Sequence, residues 1–222
     1  MANKEGIQSL EINQPKVDFV VLIGRPGSGK DTQGEIISKL IPNSFVISTG
    51  DIVRGSQDSN NSWFRYNEKI KNEMEKSNNG GLVSDKVILD IVDEVVNEKI
   101  QEGVGMIIFT GFPRTENQLG EFEKIFSNIS YIELRVSREK SLKRAEDRMA
   151  MDVELGRKHR PDDLKVVARN NVYDANTELM INKLEDRIKI IDGEQTIEEV
   201  TKGIVEKLPE FFEMVTRDGR II

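Results

Sequence analysis

The ten residues GRPGSGKDTQ, Gly24 to Gln33, decide how the rest of the chain is read. A glycine, four residues, then Gly29 and Lys30 is the spacing of a loop whose backbone N–H groups and lysine cradle phosphate. Upstream lies VDFVVLI, Val17 to Ile23, a short apolar run of buried-strand type. Downstream, TQGEIISKL carries a helical pattern that Pro42 stops. Strand, glycine loop and helix together bring backbone donors and a helix N-terminus onto one anion. The strict motif continues with Ser or Thr after the lysine, and Asp31 stands there instead.

Further strands read outward from this unit as SFVI after Asn43, VGMIIFT ending at Thr110, ISYIELRV ending at Val136, and RIKIID ending at Asp192. SDKVILDIVDEVVNEKI has apolar residues at helical spacing behind Ser84. ENQLGEFEKIF, SREKSLKRAEDRM and TIEEVTKGIVEKL are further helices. Strands alternating with helices predict an α/β fold, a doubly wound five-stranded parallel sheet. Asp51 to Gly81 is polar, with Trp63, Phe64 and Tyr66 at its middle, and reads as a small insertion rather than core. Residues 1–16 read as a flexible N-terminal tail, 17–208 as the domain, and 209–222 as a C-terminal extension with no assignable role.

A chain of 222 residues, 37% hydrophobic, is long enough for one sizeable core. The formal net charge of -7 gives no long-range pull toward nucleic acid or an anionic membrane, so neither is an expected partner. Without cysteine and with His159 alone, thiolate and histidine metal sites are excluded and no structural zinc is expected. No stretch is apolar enough for a signal peptide or a membrane span, and a cytoplasmic monomer is the expectation.

Four more stretches narrow the class: STGDIVR (48–54), GGLVSD (80–85), TGFPRTENQ (110–118) and the series Arg144, Arg148, Arg160, Arg169. With the glycine loop, in this order and spacing, they resemble the adenylate kinase family of nucleoside monophosphate kinases, from Val17 to Leu208. The resemblance implies that Gly27, Ser28, Gly29, Lys30, Asp31 and Thr32 hold the phosphates of ATP, with Arg144 stacked on its base and Arg148 and Gln195 completing that set. It implies an AMP pocket of Thr49, Gly50, Arg54, Gly81, Leu82, Val83, Gly111, Arg114 and Gln118, joined by Arg160 and Arg169. Arg54 and Arg114 would meet the AMP phosphate and Gln118 the adenine edge. Lys30, Arg114, Arg148, Arg160 and Arg169 would be catalytic, gathered around the transferring phosphoryl group, while Asp162 and Asp163 fasten a lid at 149–163. The segment 48–81 would be the acceptor-binding insertion. Mg2+ would arrive with ATP, held through phosphates and water, with Asp31 and Thr32 as its candidates.

The chemistry agrees with those roles. Phosphoryl transfer asks the protein mainly for positioning and for positive charge at the equatorial oxygens. Arginine's planar fork meets phosphate in two hydrogen bonds at once. Alone, Arg144 and Arg148 would read as surface helix charges pairing with Glu146 or Asp147, and Asp162-Asp163 as a helix cap. The ordered set is what points to a site.

Two positions depart from the family's pattern, which usually has Gly at Asp31 and, ahead of Gly-Phe-Pro-Arg, Asp at Thr110. The usual carboxylate there holds magnesium through its waters. Two readings of Asp31 follow: it serves the magnesium shell from the loop while Thr110 fills the old place with a hydroxyl, or it faces solvent or caps the first helical turn. The stretch MAMDVELGRKH between Arg148 and Arg160 resembles the family's short lid. The activity implied is ATP plus AMP giving two ADP, with Thr49 and Gln118 favouring AMP. The alternatives are a UMP/CMP or other nucleoside monophosphate kinase and a catalytically impaired nucleotide-binding regulatory protein.

Overall fold

The computed structural model describes residues 17–76, 83–157, 163–209 and 211. The expectations for the first sixteen residues, Gly81, Leu82, His159, Arg160, Asp162 and most of the C-terminal extension lie outside those residues.

Five strands, β1 (Asp18–Ile23), β2 (Ser44–Ser48), β3 (Met106–Thr110), β4 (Ile129–Arg135) and β5 (Ile188–Asp192), form one parallel sheet in the order β2-β3-β1-β4-β5. All five strands expected from the sequence are present. Parallel strands need crossovers, and the helices α1 (Lys30–Leu40), α4 (Asp85–Gln101), α5 (Glu116–Ile125), α6 (Arg138–Glu154) and α9 (Ile197–Lys207) supply them or close the chain against the sheet.

Strand residues alternate between the two faces. Phe19, Val21 and Ile23 of β1 join Ile107 and Phe109 of β3 in one hydrophobic layer, which α4, α5 and α8 (Glu178–Leu184) cover. Val20 and Leu22 join Met106 and Ile108 in the other, packed against Ile37 of α1 and Val200 and Ile204 of α9. Both faces of β1 are therefore dry, which is why its sequence is a continuous apolar run rather than an alternating one. Phe19, Phe109, Phe112 and Phe122 form an edge-to-face cluster at the heart of the first layer, with the Phe109 and Phe122 rings 5.1 Å apart.

The polar stretch after Asp51 departs from its reading as insertion rather than core. It holds α2 (Thr49–Gly55), a 3-10 turn at Ser62–Tyr66 and α3 (Asn67–Lys76). Ile52, Tyr66 and Ile70 from it are buried in the main layer. Ile52, Tyr66 and Ile70 anchor the segments, with Val53 and Trp63 packed partly against the core, while many other positions are exposed and give the stretch its polar look. The chain between Asp163 and Arg187 is also helical, through α7 (Val166–Val172), a π-turn at Tyr173–Thr177 and α8. The helix expected up to Met149 runs on to Glu154, so the first part of the expected lid continues α6.

β1 is the strand from which connections part, to β2 and β3 on one side and to β4 and β5 on the other. In open α/β sheets the crevice beyond the carboxyl ends at such a point is where ligands bind. Ile23, the end of β1, leads straight into the glycine loop.

Candidate active site

The loop's shape rests on its glycines. A Cβ on Gly24 would stand 2.5 Å from Ser28 Oγ and 2.7 Å from the Leu134 carbonyl oxygen, so the chain passes there only without a side chain. Gly27 and Gly29 have φ of 77° and 90°, the left-handed region that glycine enters without strain. Gly29 also caps α1 without a side-chain acceptor, leaving the first helical N–H groups for an anion.

Helices across the crevice pin this loop. Ser141 Oγ on α6 donates to the Pro26 carbonyl at 2.6 Å, and Asn170 Nδ2 on α7 donates to Ser141 Oγ at 2.9 Å. Arg144 Nη1 donates to the Gly27 carbonyl at 3.1 Å rather than pairing along its own helix. Lys143 is the residue that pairs with Asp147, at 2.8 Å. Arg25 pairs with Asp174 and lies over the Tyr173 ring, 4.6 Å from its centroid.

A cavity of about 300 Å³ opens beside the loop, lined by Gly27, Gly29, Lys30, Asp31, Thr32, Arg54, Arg144, Arg148, Asp163 and Arg169. A second, of about 230 Å³, shares Gly27, Ser28, Gly29, Thr32 and Arg144 and extends to Gln195, Gly193, Ile197 and Val200. Two adjoining recesses, one cationic and one partly apolar, share a glycine loop. They suit the phosphates and base of a nucleotide, respectively.

Lys30 sits at the centre of the charge. Burial lowers its ammonium to about 8, Asp31 partly offsets this, and Arg114, Arg169 and Arg54 push in the same direction as burial. Its Nζ donates to the Arg25 carbonyl at 3.4 Å. Burial works to raise the Asp31 carboxyl, but Lys30, the Thr110 hydroxyl, Arg54 and Arg114 outweigh it and hold the group below its usual value. Thr110 Oγ1 is buried with no hydrogen-bond partner. It therefore acts on that carboxylate from beside it, without a formed bond.

A second group of the expected residues is built around Gly111, whose φ is 73°. Thr49 Oγ1 donates to the Gly111 carbonyl at 2.7 Å, and Arg114 Nε donates to the same oxygen. A Cβ on Gly111 would meet Arg114 Nη2 at 2.7 Å, so glycine makes room for the guanidinium. Gly50 is likewise close under Arg54, with a Cβ there 3.1 Å from Nη1. Gln118 is buried and both ends of its amide are engaged: Oε1 accepts the Arg114 N–H at 2.8 Å and Nε2 donates to Asp85 Oδ1 at 2.7 Å. The same Asp85 accepts the Thr115 hydroxyl at 2.9 Å. Val83 lies in the main hydrophobic layer.

Arg148 of α6 and Asp163 meet in a two-pronged ion pair, with Asp163 buried and Arg148 half-buried. Of the expected residues, the structure brings Lys30, Asp31, Thr32, Arg54, Arg144, Arg148 and Arg169 around one cavity and puts Gln195 in its neighbour. Gly81, Leu82, Arg160 and Asp162 are outside the described residues. Sequence reasoning missed Gly193, Ile197 and Val200, whose signal was position: they follow the carboxyl end of β5, where ligands collect. It also missed the contacts of Asp85 and Arg25, which lie inside quoted stretches (GGLVSD and the glycine loop) but carry no assigned role of their own there.

Comparison with known proteins agrees with this geometry. Residues 22–189 match the family model for adenylate kinase. The adenylate kinase of Trichodesmium erythraeum is 34% identical over 206 residues, covering 85% of this chain and 96% of its own. That of Thermosynechococcus vestitus is 31% identical over 206 residues, covering 86% and 97%. That of Nitrobacter hamburgensis is 29% identical over 202 residues, covering 86% and 92%.

Proposed function

Because the chain belongs to the adenylate kinase family, we propose that it transfers the terminal phosphoryl group of ATP reversibly to AMP, giving two ADP. The observation that carries this reading is the convergence of Lys30, Arg54, Arg114 and Arg169 within electrostatic reach of one another at the mouth of the glycine loop. Four cations so close together repel one another, and phosphate groups entering among them relieve that repulsion.

The donor's phosphates lie in the loop, against the free N–H groups at the start of α1. Its base occupies the recess between Arg144 and Gln195. The acceptor's phosphate faces Arg54 and Arg114, and Thr49, whose hydroxyl proton is committed to Gly111, presents a lone pair to the base. An exocyclic amine, such as that of adenine, is what a lone pair accepts from. Gln118 acts here by fixing Arg114 and Asp85 rather than by a free amide. Lys30 and Arg169, which line the cationic recess, meet the charge on the phosphoryl group as it passes. Closure over the cavity would exclude water, which otherwise competes as acceptor.

The site fits the magnesium that accompanies ATP in this chemistry. Ser28 Oγ and Thr110 Oγ1 are buried polar atoms without partners at the loop, and Asp31 and Thr32 add oxygen donors. Among the described residues no group of three or more His, Cys, Asp or Glu could hold a metal by itself. Bound there, the ion would neutralise phosphate charge, with the nucleotide supplying most of its ligands.

The test is a coupled turnover assay with ATP and magnesium against AMP, GMP, CMP and UMP in turn. Turnover with AMP far above the others is expected. Preference for UMP or CMP would replace the acceptor assignment, and ATP binding without turnover on any acceptor would make the protein a binder rather than a kinase.

A further inference from the structure

Asp31 is one of the two carboxylates that line the cationic cavity. The cavity it lines is otherwise furnished with the cations Lys30, Arg54, Arg144, Arg148 and Arg169, and the other carboxylate there, Asp163, is taken up by Arg148. A carboxylate facing a phosphate cavity repels the ligand unless a cation stands between them.

Thr110 supplies an independent observation. It is fully buried, the last residue of β3, in register with Leu22 of β1 and Ser48 of β2, and so at the carboxyl edge of the sheet beneath the glycine loop. Its methyl packs against α1, where a Cβ on Gly34 would stand 2.9 Å from Thr110 Cγ2. With that branch fixed, the hydroxyl is the branch that acts on Asp31, and it has no hydrogen-bond partner. A buried hydroxyl in that condition costs stability and calls for a partner the protein alone does not supply.

We propose that Asp31 and Thr110 form the cation edge of this site: the carboxylate and the hydroxyl hold, through water, the divalent ion that travels with the nucleotide's phosphates. Magnesium suits the arrangement, because it keeps several waters and takes one or two carboxylates besides phosphate. The proposal rests on the reading of the cavity as an ATP site. A merely structural Asp31, stabilising the first turn of α1 through the helix dipole, needs no Thr110 and does not distinguish metal-bound from metal-free ATP.

Titration calorimetry of the full chain with ATP, in magnesium and again in EDTA, separates the two. For Asp31→Asn the advantage that magnesium gives to ATP binding shrinks about tenfold, the loss of one charge-assisted hydrogen bond. Its affinity in EDTA stays equal or rises, since a repelling charge is gone. Thr110→Val keeps the methyl over Gly34 and removes the hydroxyl: the magnesium advantage falls about threefold while the melting temperature does not fall. An Asp31→Asn variant that retains the wild-type magnesium advantage, or that loses affinity equally in magnesium and EDTA, overturns the proposal. Should Asp31→Asn not fold, an unchanged advantage in Thr110→Val does so. Wild-type protein that binds ATP in neither buffer overturns the ATP reading itself, and the proposal with it.

Discussion

The glycine loop and the Arg148–Asp163 pair line the same cavity but are held in opposite ways. The loop is locked by a Gly24 with no room for a Cβ, by the Ser141 bridge to Pro26 and by Arg25 on Tyr173. The second has one two-pronged contact, and next to it in the chain Met151, Val153, Leu155, Leu164 and Val167 are exposed. Catalysis by positioning needs the first kind of construction where charge must be preorganised, and the second where the site has to open. Under the proposed function, residues of the first kind should set the barrier and those of the second should set access.

The largest effect should come from the locked side. Lys30→Met is expected to lower turnover by about 10²–10³-fold, the scale of removing one preorganised donor. Its melting temperature should hold or rise, since a buried cation is replaced by an apolar chain of similar length. Unaltered kinetics would break the comparison at once. Ser141→Ala leaves the Pro26 carbonyl and the Asn170 amide without their bridge and should cost about 1–3 kcal/mol in denaturant unfolding.

Proton linkage sharpens the comparison further. Lys30 is lowered to about 8 in the free protein, and bound phosphate favours its charged form. ATP affinity should therefore fall as pH rises above 8, by up to about tenfold per pH unit, and Lys30→Met should flatten that slope. The stability sign is the reverse. The folded chain binds fewer protons than the unfolded one between the folded value near 8 and the ordinary 10.5, so the cost of burying Lys30 is relieved as pH climbs through that window. Asp163→Asn, which keeps an acceptor for a half-exposed Arg148, should cost about 1 kcal/mol. It should change the rate of lid motion, read by stopped-flow nucleotide release, more than the melting temperature. A loss larger than that of Ser141→Ala would invert the comparison.

The sheet was legible because burial on both faces writes itself as uninterrupted apolar runs, as in Phe19 to Ile23. The loop was legible because its glycines are forced by backbone geometry. The helices after Asp163 were not. Their buried face is Asn170, Tyr173, Thr177, Met180, Ile181 and Leu184, a helical spacing in which two positions are polar. Those two are satisfied by bonds to Ser141 and to the Arg114 carbonyl. Leu164, Val167 and Leu179 meanwhile face outward, so hydrophobic periodicity pointed nowhere. In the site, Gln118 was legible as a residue but not in its contacts, because nothing local to it announces Asp85. Asp31 was visible as an anomaly, and only the buried, unpartnered Thr110 beside it gives the anomaly a direction.

The strand order has a consequence for how the chain comes to fold. β1 touches neither the strand made just after it nor any local hairpin: its neighbours are β3 and β4, synthesised much later. Pairings at such sequence distance are slow to form. During synthesis the nucleotide loop, though near the N-terminus, must wait for the chain to reach Arg135 before the strand that carries it has a partner on each side. ATP cannot assist folding until most of the protein exists.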